Sequence, residues 1–334
     1  MRIAIVGAGA IGGYLGARLA TAGEEVTFIA RGANLQAIRS SGMKLILEDG
    51  SEVHAGAARA CGNISEAGTQ DVVLLTVKAH QVTAVAADLR HLCHQQTSIV
   101  TMQNGIPWWY FHKHGGEHEG KPVVSADPDG SISRHVDPAR IVGCVVYPAA
   151  NLIAPGVVQV VEGNRFTVGE LDGATTPRLQ AIAASLIKAG FKAPITNEIR
   201  SEIWLKLWGN LSFNPISALT HATLVDICRY PLTRDLAMQM MIEAEAIAKN
   251  LGITFRVGIE RRIAGAEKVG AHKTSMLQDV EHGRAIEIEA LVGSVVELGA
   301  LTRTPTPHIS AVYACASLLA KTLNEQHGRL TIAH

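Results

Sequence analysis

A lysine and two asparagines recur at intervals of four residues in a segment rich in tryptophan and leucine. On a helix, Lys206, Asn210 and Asn214 share one face, which places one ammonium and two amides in a row. Burying an idle lysine among apolar side chains is costly, so this stripe predicts a polar site. The alternative is an amphipathic helix whose polar face meets water. We expect Pro215 to end or bend the helix beside the stripe.

The start of the chain matches the G-x-G-x-x-G pattern of dinucleotide-binding loops. The six residues of the match are Gly7, Ala8, Gly9, Ala10, Ile11 and Gly12. Gly7 permits a tight turn, Gly9 lets the backbone approach a pyrophosphate, and Gly12 allows close packing of helix and strand. A glycine-rich turn without a ligand is the alternative. The complete βαβ pattern around the loop favours the dinucleotide site.

The residue after the second predicted strand indicates which dinucleotide is bound. An NAD enzyme would place Asp or Glu there to accept from the ribose hydroxyls, but this chain has Ala30, Arg31 and Gly32. An arginine forms charge-assisted bonds to phosphate, so we predict that Arg31 binds the 2′-phosphate of NADP(H). A solvated surface arginine is the alternative.

Two further segments follow strands of the predicted sheet, where open α/β sheets bind ligands. Lys78 can reach a cofactor phosphate or ribose, and Asn104 can bond the nicotinamide end or the substrate. The alternatives are that Lys78 starts a surface helix and that Asn104-Gly105 is a simple turn. Spacing alone does not decide between these interpretations.

Polar residues also stand out in two later stretches. Ser275 and Asp279 can each cap a helix, and spacing selects neither Glu287 nor Glu289 for a site. Residues 108–138 begin with four bulky aromatics and are rich in Gly, His, Asp and Pro, so we predict long surface loops there. The histidines of this stretch match no zinc motif, and we expect no metal.

Strands that alternate with helices must position the first set of residues. Apolar runs at 3–6, 26–29, 72–75, 99–101 and 141–147 predict an open parallel sheet, and a helix is expected over 10–22. We predict a hairpin from 156–161 and 165–169.

Helical spacing dominates after a breaker-rich linker at 172–177. The predicted helices span 178–189, 198–214, 231–250, 257–269, 275–300 and 307–324. The expected fold is therefore an α/β Rossmann domain at 1–173 followed by an all-α domain at 174–334.

Composition excludes several classes of protein. The 334 residues carry 30 Lys+Arg and 30 Asp+Glu, a balance that argues against a nucleic-acid binder. No apolar run is long enough for a membrane span, and no leader precedes the first strand, so we expect a cytoplasmic protein. The five scattered cysteines suggest neither a disulfide framework nor a zinc site.

Together these motifs resemble the ketopantoate reductase (2-dehydropantoate 2-reductase) family. The resemblance covers nearly the whole chain, from the glycine loop and Arg31-Gly32 to the Trp-x-Lys-x-x-x-Asn-x-x-x-Asn-Pro helix and the Ser-Met-x-x-Asp stretch. It implies a Rossmann domain followed by a helical domain of the 6-phosphogluconate dehydrogenase type. The implied reaction is the NADPH-dependent reduction of a 2-oxo acid, ketopantoate, to the 2-hydroxy acid pantoate in pantothenate biosynthesis.

The resemblance also implies roles for individual residues. Lys206 would protonate the carbonyl oxygen as hydride reaches carbon. The implied substrate-binding residues are Asn104, Asn210, Asn214, Ser275 and Glu287, and Lys78 and Asn104 match positions that orient cofactor and substrate. Residues 106–138 depart from the family pattern, which leaves the choice of 2-oxo acid open.

Two other interpretations remain at this stage. One is a reductase of a different 2-oxo acid in the same superfamily, and the other is a non-catalytic NADP(H) sensor whose helical domain only dimerises or meets a partner. The stripe containing Lys206 argues against the sensor, because a sensor needs no proton donor. The oligomeric state is open, with a homodimer as one arrangement.

Overall fold

The structure, a computed structural model, describes residues 1–56 and 58–328. It contains two compact units. The first comprises Met1–Gln103, Trp108–Pro122 and Asp129–Ile199; the second comprises Asn104–Pro107, Val123–Pro128 and the chain from Arg200 onward. The predicted combination of a parallel-sheet α/β domain with a helical domain is confirmed.

Eleven strands are described, all of them in the first unit. In chain order they are β1 (Arg2–Val6), β2 (Glu25–Ile29), β3 (Met43–Ile46), β4 (Glu52–Ala55), β5 (Arg59–Cys61), β6 (Gln70–Leu75), β7 (Cys93–Thr101), β8 (Ile141–Val146), β9 (Ala149–Ala154), β10 (Val157–Glu162) and β11 (Phe166–Gly169). Seven form a sheet in the order β11-β8-β7-β6-β1-β2-β5, parallel except for β11. The other four form a second sheet in the order β4-β3-β10-β9.

The predicted hairpin of 156–161 and 165–169 is wrong. Strand β10 pairs with β9 and β3 in the second sheet, whereas β11 pairs with β8 in the main sheet. Burial explains the division: all four residues of β11 are buried, whereas β10 exposes alternate residues. A fully buried strand fits an edge that is covered on both faces, and a half-exposed strand fits a sheet with one solvated face.

Twelve α-helices and one π-helical turn are described. They are α1 (Ala10–Thr21), α2 (Gly32–Ser41), α3 (Thr83–Ala86), α4 (Ser131–His135), α5 (Pro177–Lys188), α6 (Ile199–Thr220), α7 (Leu224–Arg229), α8 (Pro231–Asn250), α9 (Ile259–Val269), α10 (Ser275–Glu281), α11 (Ser294–Leu301) and α12 (Pro307–Glu325), with the π-helical turn at Glu289–Gly293. No strand occurs among residues 200–328.

Helix α5 explains why the first unit extends beyond residue 173. Its buried residues Leu179, Ile182 and Leu186 join the same hydrophobic core as the strands of the main sheet. The compact unit therefore continues to Ile199. The domain boundary at 173/174 stays a prediction.

Two predicted helix boundaries are wrong. Helix α6 passes through Pro215 and ends at Thr220 rather than at 214. A proline inside a helix costs about 3 kcal/mol, but burial of the surrounding turn, including Phe213 and Ile216, outweighs that cost. The single helix expected over 275–300 is interrupted after α10, where Gly283 adopts a φ of 62° that ends the helix.

The aromatic run after Pro107 is also not a surface loop. Trp108, Trp109, Tyr110 and Phe111 are at most 7% exposed. The indole N–H of Trp109 donates to Oγ1 of Thr101 at 3.0 Å. These rings are buried, so the prediction of long surface loops fails for this part of 108–138.

Candidate functional site

A cleft of about 580 Å³ opens in the first unit at the carboxyl ends of β1 and β2. Such an edge of a parallel sheet is where doubly wound folds bind ligands. The polar and glycine residues that line it include Gly7, Gly9, Arg31, Asn34, Asn63, His80, Gln81 and Asp88.

Contacts within the protein account for two of the three motif glycines. Gly7 has a φ of 105°, and a Cβ there would lie 2.7 Å from Cγ1 of Val77. A Cβ on Gly12 would lie 2.1 Å from the carbonyl oxygen of Gly7. The Thr76 hydroxyl donates to that same carbonyl at 2.8 Å, and the N–H groups of Gly7 and Ala8 donate to Ile29 O at 3.2 Å. The loop is thus fixed by its neighbours.

Gly9 is different, because nothing in the described protein requires a glycine there. Its φ of −77° is open to any residue, and a Cβ would meet no atom within 4 Å. It is the N-cap of α1 and lines the cleft. The absent side chain leaves room at a helix N-terminus, where backbone N–H groups and the helix dipole favour an anion. The loop therefore fits a pyrophosphate group.

Arg31 lines the same cleft, is exposed, and immediately precedes α2. Lys78 is placed differently. It is half-buried before a short 3₁₀ helix, its backbone N–H donates to Oε1 of Gln81 at 3.2 Å, and it does not line the cleft, whereas Gln81 does. Ala10, Ile11 and Gly12 also lie outside the lining.

The polar stripe lies on α6 in the second unit, and its lysine has a defined partner. The ammonium of Lys206 donates to Oδ1 of Asn104 at 2.6 Å. Lys206 is half-buried, and its sequence neighbours Trp204 and Trp208 are fully buried. A charge-assisted bond of this length fixes the direction of the ammonium group.

Asn104 is held in turn by a close approach between two backbones. Gly105 has a φ of 90°, and a Cβ there would lie 2.0 Å from the carbonyl oxygen of Ala290. The same carbonyl accepts the N–H of Ile106 at 3.0 Å and the hydroxyl of Ser294 at 2.7 Å. Ala290 belongs to the π-helical turn, and π turns often occur at functional sites.

The two asparagines of the stripe differ in burial. Asn214 is 5% exposed and Asn210 is half-buried. Neither amide makes a hydrogen bond to a residue within 1–56 or 58–328.

Ser275 and Glu287 lie in the same unit as Lys206, on separate elements. Ser275 is exposed at the first position of α10, and the cap is Thr274, whose hydroxyl accepts the Leu277 N–H, so the predicted capping by Ser275 or Asp279 is wrong. Glu287 is half-buried ahead of the π-helical turn.

The other glutamate of that stretch is committed elsewhere. Glu289 is exposed and accepts the Tyr313 hydroxyl at 2.7 Å. Burial of Tyr313, together with this bond, raises the pKa of its phenol.

Sequence reasoning missed three residues of the first unit. Thr76 secures the glycine loop, Asn34 lines the cleft beside Arg31, and Leu152 reaches the cleft from β9. A polar residue in the first turn of the helix after Arg31 was a usable signal for Asn34. Leu152 gave none, because β9 was not predicted. Among the described residues, no group of three or more potential metal ligands occurs.

Comparisons with known proteins match both units. Residues 3–173 match the family model for ketopantoate reductase PanE/ApbA, and residues 198–320 match the model for its C-terminal part. The chain is 52% identical to a 2-dehydropantoate 2-reductase of Mesorhizobium japonicum over 321 residues, covering 96% of this chain and 98% of that one.

Solved structures are similar to this chain over nearly its whole length. A structure from Ralstonia solanacearum MolK2 is 41% identical with a TM-score of 0.91, covering 97% of this chain and 98% of that one. A 2-dehydropantoate 2-reductase from Geobacter metallireducens GS-15 is 27% identical with a TM-score of 0.83, covering 96% and 99%.

Proposed function

The chain belongs to the ketopantoate reductase family, and from this premise we propose that it reduces 2-dehydropantoate to pantoate with NADPH. The observation that carries the proposal is the hydrogen bond from the ammonium of Lys206, on α6, to Asn104, together with the presence of Asn210 and Asn214 on the same helix. This arrangement offers a directed proton donor and a group that can bind a polar substrate.

The first unit would hold the cofactor. The open space at Gly9 and the free helix N-terminus suit the pyrophosphate, and Arg31 suits a 2′-phosphate. Of the remaining predicted residues, Ala8 lines the cleft, Ala10 and Ile11 are assigned to the cofactor site by the glycine motif, and Lys78 is assigned to it by family resemblance. When bound, NADPH supplies the hydride that the 2-oxo carbon gains.

Lys206 is the proposed general acid. Negative charge builds on the carbonyl oxygen during reduction, and an ammonium both stabilises that charge and donates the proton that completes the hydroxyl group. The bond to Asn104 orients the ammonium before the reaction, so its direction need not be set during it. Asn210 and Asn214 would bind the polar groups of the substrate.

Ser275 and Glu287 complete the proposed substrate set. A serine hydroxyl is a suitable donor to the carboxylate of a 2-oxo acid, and a carboxylate such as Glu287 can accept from a substrate hydroxyl. Glu287 is assigned to this set by the family resemblance, and Glu289 accepts the Tyr313 hydroxyl.

The test is to follow NADPH absorbance with purified protein against a panel of 2-oxo acids that includes ketopantoate. We expect ketopantoate to give the highest kcat/KM. A clear preference for another acid would reassign the substrate, and no turnover with any acid would favour the NADP(H) sensor.

Variants at Lys206 test its role. Lys206→Ala should lower kcat by about 100- to 10,000-fold while NADPH still binds. Lys321→Ala is the matched control, because Lys321 is an exposed lysine of the same unit that pairs with Glu325 four residues on. Unchanged turnover in Lys206→Ala would remove this lysine from the mechanism.

The homodimer and the cytoplasmic location are still predictions. The described residues include no helix long and apolar enough to cross a bilayer. Light scattering coupled to gel filtration would give the oligomeric state directly.

A further inference from the structure

The side chain of Asn34 joins three elements that line the cleft of the first unit. Its Nδ2 donates to the Ala8 carbonyl at 2.6 Å, and its Oδ1 accepts the Gly156 N–H at 2.7 Å. These partners fix the orientation of the amide, because a carbonyl can only accept and an N–H can only donate. Both bonds connect residues far apart in the chain.

Each of the three elements contributes residues to the lining of the cleft. Ala8 belongs to the glycine loop, and Asn34 lies in the first turn of α2, three residues after Arg31. Gly156 is in the turn between β9 and β10, and Leu152 of β9 lines the cleft. One amide therefore ties the loop to the helix that presents Arg31 and to the second sheet.

The loop and the helix depend on Asn34 to different degrees. The loop keeps its own anchors, since Thr76 and Ile29 bond it independently. The second half of α2 is also secured, by the fully buried Ile38 and by the bond from Arg39 Nε to Ala60 O at 2.9 Å. In the first turn, Asn34 provides the directional side-chain bonds, with Leu35 adding apolar packing.

We propose that Asn34 is a positioning residue that sets the place of Arg31 relative to the glycine loop and thereby sets the preference for NADPH over NADH. The inference rests on the proposed use of NADP(H). Loss of the amide should loosen the first turn of α2 while the pyrophosphate cradle stays in place. The penalty should therefore fall on the cofactor that carries a 2′-phosphate.

The test is a double-mutant cycle read by fluorescence titration with NADPH and NADH. Asn34→Ala should raise the Kd for NADPH about 3- to 10-fold and the Kd for NADH less than about 2-fold, as expected for loss of a hydrogen-bonded tether. In an Arg31→Ala background the same change should alter the NADPH Kd by less than about 2-fold, because residues that act as one unit are not additive. Gln36→Ala, an exposed position on the same helix, should leave both Kd values unchanged.

Two outcomes would overturn the inference. In the first, Asn34→Ala raises the Kd for NADPH and the Kd for NADH by the same factor. In the second, Asn34→Ala raises the NADPH Kd as much in the Arg31→Ala background as in the wild type. Should Asn34→Ala not fold, as judged by its melting curve, Asn34→Leu replaces it in the same cycle with a side chain of the same branching that forms no hydrogen bonds. A wild-type protein that binds NADPH no tighter than NADH would overturn both the cofactor assignment and this inference. The titrations do not involve turnover, so a wrong substrate assignment leaves the test intact.

Discussion

Two alanine substitutions in the same loop should have opposite effects on stability and binding. A Cβ added at Gly9 meets no atom within 4 Å, whereas one added at Gly12 lies 2.1 Å from Gly7 O and 2.6 Å from Oγ1 of Thr76. Ordinary van der Waals contact begins at 3.4 Å, so the Gly12 variant must move a backbone carbonyl by more than 1 Å. The structure thus predicts which glycine serves the fold and which serves a ligand.

The magnitudes follow from these contacts. For Gly9→Ala the gain from a less flexible unfolded chain and the small loss at an N-cap nearly cancel, so the free energy of unfolding should change by less than about 1 kcal/mol. Gly12→Ala should cost about 3 kcal/mol, which corresponds to a fall in Tm of about 6 to 12 °C. The new methyl group at Gly9 would occupy the space proposed for the pyrophosphate, so the Kd for NADPH should rise at least about 10-fold.

The measurements are thermal melts without ligand and fluorescence titration with NADPH. Each variant is compared with the wild type under both conditions. If Gly9→Ala binds NADPH as tightly as the wild type, the cofactor does not approach this loop, and the placement of the pyrophosphate at Gly9 is wrong. A Gly12→Ala protein with an unchanged Tm would show that the contacts at Gly12 are less restrictive than the distances indicate.

Three further predictions concern other parts of the molecule. Gly105→Ala should lower the free energy of unfolding by at least about 3 kcal/mol. The control Gly68→Ala should lower it by about 1 to 2 kcal/mol, because Gly68 has a similar positive φ but no atom within 4 Å of an added Cβ. Equal losses of Tm in the two variants would contradict the close approach of Gly105 to Ala290. Asn104→Ala should lower kcat about 10-fold or more through loss of the bond that orients Lys206, and an unchanged kcat would separate the pair from catalysis. Burial opposes ionisation of Glu170, but bonds from Arg178 and Thr176 outweigh it and hold its pKa below the usual 4.5. The ionised carboxylate therefore stabilises the fold above pH 4.5, and this effect is lost as the pH falls through the lowered pKa. Glu170→Gln should lower the Tm by about 3 to 10 °C at pH 7, and this difference from the wild type should shrink in acid. A difference that stays constant in melts from pH 7 to 3 would contradict the prediction.

Local patterns predicted the parts of the fold that depend on local order. Strand β1, the glycine loop and α1 follow one another as expected, because an apolar run and a glycine turn define them without reference to the rest of the chain. The second sheet was not predictable in this way. Strands β3 and β4 carry polar residues such as Lys44 and Glu52, and β3 pairs in parallel with β10, more than 100 residues later.

The same distinction holds for the candidate site. Helical spacing predicts that Lys206, Asn210 and Asn214 share α6, and the structure contains all three on that helix. The bond from Lys206 to Asn104 links residues 102 positions apart, and no spacing rule reaches that far. The open space at Gly9 is equally invisible in sequence, since it depends on where other atoms are absent.

The division of the chain into two units determines which fragments contain a complete unit. Membership of the two units changes after residues 103, 107, 122, 128 and 199, so the segments Asn104–Pro107 and Val123–Pro128 are made long before most of the unit they join. A fragment starting at Arg200 would lack the Ser125 groups that bond Glu297 and the backbone that docks on Ala290. The unit that contains Lys206 is therefore not a separable fragment of the chain. During synthesis on the ribosome, its two short segments are made before the helices that they contact.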